Sequence, residues 1–185
     1  MSVRILALVG SLRSGSTNRQ LAEAAAKHAP EGIEIVLHEG LADIPFYNED
    51  IDIEGSEPAA ATALRAAVVQ ADAMLFFSPE YNGTIPAVLK NAIDWLSRPY
   101  GAGALIGKPV AVVGTAFGQY GGVWAQDEAR KAVGIAGGKV VEDAKLSIPG
   151  SVTRFAERHP ADDAEVAEGL AKVVEQLSQA APAAA

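Results

Sequence analysis

Cysteine is absent from the 185-residue chain. This excludes disulfide bonds, thiolate nucleophiles, cysteine-ligated zinc and iron–sulfur clusters, and it leaves the compartment open. Long hydrophobic runs are missing too. None approaches the ~18 apolar residues that a bilayer-spanning helix needs, and Val3–Val9 is too short and too near Met1 for a signal peptide. The sequence reads as that of a cytoplasmic protein with no membrane partner. Basic residues are in deficit: 15 Lys and Arg stand against 23 Asp and Glu, a net charge of −8. Such a chain repels nucleic acid, although a local site can oppose the global charge and hold a small anion. Aromatics make up only 6% of the residues, so the core is expected to be aliphatic. His28, His38 and His159 match no triad or metal-ligand spacing, so no catalytic side chain and no metal ligand is assigned. The acids of Asn48–Glu57 lack the regular spacing of a calcium loop and read as a solvated loop.

What is present is an alternation of short apolar runs with longer periodic ones. Val3–Val9, Ile33–Leu37, Ala73–Phe77 and Pro109–Ala116 have the continuous or β-branched apolar character of buried strands. A fifth strand begins at Lys139–Val141. Helical spacing appears at Asn18–Ala29, Pro58–Gln70, Thr84–Leu96, Val123–Ile135 and Ala161–Ser178, with Ser16 or Thr17 as a cap for the first. Arg98–Gly107 is Gly-rich and expected to be mobile, and Ala180–Ala185 reads as a disordered tail. Repeated strand–helix units predict an α/β, flavodoxin-like, doubly wound five-stranded parallel sheet of order 2-1-3-4-5. It forms one domain over residues 1–179.

In such a sheet, ligands sit outside the carboxyl ends of the strands where the strand order reverses. Three polar loops are then expected to line one crevice: Gly10–Thr17, Ser78–Gly83 and Gly114–Gly122. The first joins a strand to a helix N-terminus, whose free N–H groups and dipole favour an anion. Ser11, Ser16, Thr17 and Asn18 add donors, and Arg13 adds a planar permanent cation. The loop lacks the ending of a Walker A motif and the Gly spacing of a dinucleotide fingerprint, so it suits a terminal monophosphate. The plainer alternative is a Ser/Gly turn with a helix cap and a solvated Arg. In the second loop, Pro79, Pro86 and Gly83 make a stiff turn, and Tyr81 offers a ring or a hydroxyl. Glu80 would oppose an anionic ligand and reads as structural or as a partner contact. In the third loop, four Gly in Gly114–Gly122 allow close backbone approach.

These residues resemble the NADPH-dependent FMN reductase family, which includes chromate, quinone and azo-dye reductases. The stretches that carry the resemblance are Gly10–Asn18 and Ser78–Pro86, the latter running on through Leu89–Trp95, and similarity extends from about Val3 to Val141. The resemblance implies that Ser11, Arg13, Ser16, Thr17 and Asn18 hold the FMN phosphate. Pro79, Glu80, Tyr81, Asn82 and Gly83 would border the isoalloxazine ring, and Thr115 and Gly118 to Gly122 its other edge. It implies an oxidoreductase passing electrons from NADPH or NADH to a small molecule such as a quinone, flavin, azo compound or chromate. It also implies a homodimer or homotetramer. The helix Thr84–Leu96 has an apolar side able to pair across a two-fold axis. An electron-carrier module docking to proteins is the alternative, disfavoured by Arg13, and a binding protein for another phosphate ester is a third reading. Lys90 and Asp94, four apart, read as a surface pair, and Trp95 as core or interface.

Overall fold

The computed structural model describes residues 2–181. The alternation of the sequence becomes β1 (Val3–Val9), α1 (Thr17–Lys27), β2 (Ile33–Leu37), α2 (Ala59–Gln70), β3 (Ala73–Phe77), α3 (Ala87–Leu96), β4 (Pro109–Thr115), α4 (Val123–Ile135), β5 (Lys139–Ile148), α5 (Ser151–Arg154) and α6 (Ala164–Ala180). The five strands form one sheet in the order β2-β1-β3-β4-β5, and every pairing is parallel. Successive side chains of a strand face opposite sides, so each central strand feeds two cores. Ile5, Ala7, Val9, Leu75 and Phe77 pack with α1 and α6 on one face. Leu6, Leu8, Met74, Phe76 and Val112 pack with α2, α3 and α4 on the other.

The departures from expectation have local causes. The third helix starts at Ala87 rather than Thr84, because Tyr81 and Thr84 pair their backbones across Asn82 and Gly83. The fifth strand continues to Ile148. Its polar middle hides it from an apolar-run reading, and a bulge brings Val110 opposite Val140 but Val112 opposite Lys145. The last helix starts at Ala164, where Asp163 caps the amide of Val166 at 3.3 Å. Arg98–Gly107 is tied down rather than loose: Leu105 is fully buried, and the Gly107 amide donates to the Gly137 carbonyl at 2.8 Å. Of the Ala-rich tail, Ala180 closes α6, and residues 182–185 lie outside the described residues.

The acidic stretch after β2 is also pinned. The Asn91 amide donates to the Pro45 carbonyl (3.0 Å) and accepts from the Tyr47 amide (2.8 Å), while the Trp95 indole donates to Pro45 (2.8 Å). Asp52 receives both terminal nitrogens of Arg65 at 2.7 and 2.8 Å, with side chains only 11% and 16% exposed. This paired guanidinium holds the Asp52 carboxyl below the usual carboxylate range. A carboxylate with a lowered native pKa stabilises the fold above its unfolded value, and that stabilisation fades as pH falls through the lowered one. Asp52→Asn should therefore cost roughly 1–3 kcal/mol at neutral pH. It should also flatten the loss of stability below about pH 4, as read by urea melts across the acid range.

Candidate functional site

The sheet ladder continues past the strands and sets three loops side by side. The Gly10 amide donates to the Phe77 carbonyl at 2.8 Å, the Ser78 amide to Val113 at 2.9 Å, and the Ala116 amide to Ile148 at 3.3 Å. The loops after β1, β3 and β4 thus leave the sheet at one level. Gly114 makes the closest junction. A Cβ there would lie 2.1 Å from the Ser78 carbonyl oxygen and 3.3 Å from Asn18 Oδ1, so only glycine lets β3, β4 and α1 converge.

In the first loop, the Ser16 amide donates to the Arg13 carbonyl at 3.1 Å and the Ser16 hydroxyl caps the Arg19 amide at 3.3 Å. The first turn of α1 carries no acidic residue, so nothing offsets its positive end. Ser11 and Thr17 are half-buried, and Arg13 is exposed, its guanidinium reaching the Ser14 carbonyl at 3.3 Å. Asn18 turns the other way. Its Nδ2 donates to the Thr115 carbonyl and its Oδ1 accepts from the Thr115 amide, both at 3.0 Å. The Thr115 hydroxyl donates to Ile148 at 2.7 Å. Asn18 and Thr115 are 5% and 2% exposed, so they join loops instead of presenting side chains to a ligand.

The second loop is a two-residue hairpin. Tyr81 and Thr84 exchange backbone bonds of 3.1 and 3.2 Å, and Asn82 and Gly83 occupy the left-handed region at φ 55° and 76°, as an Asn-Gly turn favours. Pro79 is buried at its base, while Tyr81, Asn82 and Gly83 are exposed. The Glu80 carboxylate accepts from the Ala125 amide at 3.1 Å. It therefore sits on the free N–H groups of α4, a structural role for this acid. The Thr84 hydroxyl bonds Glu128 of the same helix. In the third loop, Gly118 is exposed, and Gln126 joins Gly121 to β5 through bonds of 3.2 Å to the Gly121 carbonyl and 2.8 Å from the Ser147 hydroxyl.

The three loops that carry the residues singled out from the sequence therefore meet from distant segments. Comparison with known proteins adds the family. The family model described as NADPH-dependent FMN reductase matches residues 3–153. The chain belongs to that family. It is an oxidoreductase with FMN as cofactor and NAD(P)H as co-substrate. A quinone reductase from Pseudomonas putida is 43% identical over 129 residues, 70% of this chain and 68% of that protein. A 2-hydroxy-1,4-benzoquinone reductase from Burkholderia sp is 41% identical over 130 residues, covering 70% and 69%. Among solved structures, the NAD(P)H:acceptor oxidoreductase FerB from Paracoccus denitrificans superposes with a TM-score of 0.76 at 28% identity, covering 97% of this chain and 100% of that one.

Two buried polar residues that brace the elements around the three loops escaped sequence reading. Gln126 and Arg130 lie on the buried stripe of α4 with Ala125, Ala129 and Val133. Arg130 donates to the Val112 carbonyl at 3.1 Å and to Asp127 at 2.7 Å. A polar pair at i, i+4 inside an apolar stripe was the available signal. Two of the three histidines meet at Ala161 instead: His28 contacts the Ala161 carbonyl at 2.8 Å, and His159 accepts from the Ala161 amide at 3.1 Å. Among the described residues, no helix is long and apolar enough to cross a membrane.

Proposed function

We propose that the chain is a cytoplasmic quinone reductase. In this reading Ser11, Arg13, Ser16 and Thr17 hold the FMN phosphate, and Asn18 fixes the loop that carries them. Pro79, Glu80, Tyr81, Asn82 and Gly83 border the isoalloxazine, with Gly118 along its other edge and Thr115 behind. One observation supports the reading most strongly. A helix end without an acid in its first turn stands beside an exposed guanidinium that bonds only its neighbour's carbonyl. That donor set fits a phosphate dianion in a protein whose overall charge opposes one.

Bound FMN supplies a two-electron relay: NAD(P)H is oxidised to NAD(P)+, and the quinone takes two electrons and two protons, one drawn from solvent, to leave as hydroquinone. The protein's own work is positional. The amides of the first loop grip the phosphate, the locked hairpin sets the height of the ring edge, and Glu80, bonded to α4, keeps that hairpin in place. Stopped-flow mixing of the purified protein with NADPH under anaerobic conditions should bleach the flavin absorbance within seconds. A flavin that stays yellow for minutes would rule the reading out.

The same reading includes a homodimer or a homotetramer. Between α3 and α4 runs a groove of ≈ 830 Å³ lined by Lys90, Asp94, Tyr100, Ile106, Lys131 and Ile135. Ile135 and Tyr100 are 79% and 92% exposed. Lys90 and Asp94, paired at 2.6 Å, line it, so the groove carries both charges, which suits a face meeting its own copy across a two-fold axis. Light scattering at micromolar concentration should return at least twice the 19.1 kDa chain mass, and Ile135→Glu should lower it to the monomer. A monomeric wild type would refute the assembly.

A further inference from the structure

Among the described residues six aromatic side chains are largely exposed: Phe46, Tyr81, Tyr100, Phe117, Tyr120 and Trp124. Four of these, Tyr81, Phe117, Tyr120 and Trp124, lie on the loops after β3 and β4 or the first turn of α4, at the carboxyl end of the sheet. Phe46 and Tyr100 are exposed on other loops, while Phe76, Phe77 and Trp95 are fully buried. Exposed apolar rings gathered at one crevice mark a place where a flat apolar ligand is received.

Tyr120 and Trp124 form a pair within that group. Their centroids are 5.3 Å apart with planes inclined at 52°, and they remain 55% and 53% exposed. The backbone beneath them is held. The Val123 amide donates to the Tyr120 carbonyl at 3.3 Å and the Gly121 amide to Gly118 at 3.1 Å. Gln126 fixes Gly121 to β5, and the Ala125 amide next to Trp124 is the one that Glu80 grips. The rings therefore stand on a stiff base beside the hairpin. Neither lines the α3–α4 groove assigned to the second copy.

We propose that Tyr120 and Trp124 form an aromatic platform that selects fused-ring quinones over single-ring ones as the electron acceptor. The inference rests on the quinone reductase reading above. The tilt of the pair supplies the selectivity. A ring can stack on the face of one aromatic or meet the edge of the other, and both arrangements are favourable. A single ring engages one of them well, whereas a second fused ring extends the contact to its neighbour.

The test uses the FMN-loaded protein, 2-methyl-1,4-naphthoquinone and 1,4-benzoquinone. The ratio of kcat/KM for the naphthoquinone over the benzoquinone should fall about tenfold in the Tyr120→Leu/Trp124→Leu double variant. The change should lie mainly in the naphthoquinone KM, and Trp124→Phe should restore most of the ratio. A second measurement needs no turnover. With oxidised protein and no NAD(P)H, the naphthoquinone should quench the emission of exposed Trp124 in the wild type, and the quench should disappear in Trp124→Leu. An unchanged ratio in the double variant, or wild-type emission indifferent to the naphthoquinone, would overturn the platform. Failure of the underlying reading looks different: a wild-type protein that retains no flavin, or that oxidises NAD(P)H with neither quinone.

Discussion

Gly114→Ala should lower the melting temperature by roughly 6–12 °C and strip the protein of its flavin. The methyl group would be placed 2.1 Å from the Ser78 carbonyl oxygen and 3.1 Å from its carbon. Both are backbone atoms of the neighbouring strand end and cannot rotate aside. The strands must part, which puts the cost at the upper end of overpacking, about 3 kcal/mol, with ~2–4 °C per kcal/mol for a domain of this size. The flavin is lost because Ser78 opens the hairpin loop and Asn18 Oδ1, 3.3 Å from the same methyl, belongs to the phosphate loop. Gly134→Ala is the contrasting substitution. It lies within α4, and its nearest outside neighbour is Val140 at 3.9 Å, so it should raise stability by up to about 1 kcal/mol. Differential scanning calorimetry on the two variants, with visible spectra of the same samples, checks both. A Gly114→Ala protein that melts normally and stays yellow would show that the three loops do not meet as described.

Arg13→Ala should weaken FMN binding by roughly 10- to 100-fold while leaving riboflavin binding within a factor of about two. A charge-assisted bond to a phosphate contributes about 1.5–3 kcal/mol, which converts at ~1.4 kcal/mol per decade of Kd. Riboflavin lacks the phosphate, so it reports only on the ring. Arg13 is exposed, and its contribution should therefore shrink as salt rises. Arg13→Lys should recover part of the affinity, because an ammonium keeps the charge but loses the two-pronged geometry. Fluorescence titration of apoprotein with either flavin measures all of this. Equal losses for FMN and riboflavin would remove Arg13 from the phosphate site.

The strand order and the three-loop crevice were legible because buried parallel strands leave continuous apolar runs and because the Gly, Ser and Asn of the loops punctuate them. The Asn82-Gly83 turn was visible as stiffness but not as a hairpin, since its closing bonds join Tyr81 to Thr84 inside what helical spacing claims for α3. Asn18 and Thr115 show the limit more sharply. Both carry groups that suit a ligand, and the first loop's composition invited both Asn18 and its neighbours into the phosphate site. Their mutual bonds span 97 positions, and no local pattern announces a partner at that separation. Asp52 was read as part of a solvated loop for the same reason: Arg65, its partner, sits on a helix whose own spacing says nothing of Asp52. Glu80 was read as structural or as a partner contact, and the helix end that its carboxylate meets became visible only in three dimensions.

The paired hydrogen bonds between Asn18 and Thr115 have a kinetic meaning. An amide side chain that reads both backbone groups of one residue behaves like an extra rung of sheet, here joining α1 to the tip of β4. The junction of these two loops is therefore set when the chain folds, and the entropy of ordering it is not left for a ligand to meet. FMN meeting a preset junction should therefore bind in a single encounter, and stopped-flow mixing with apoprotein should give an observed rate that climbs in proportion to flavin concentration without levelling off.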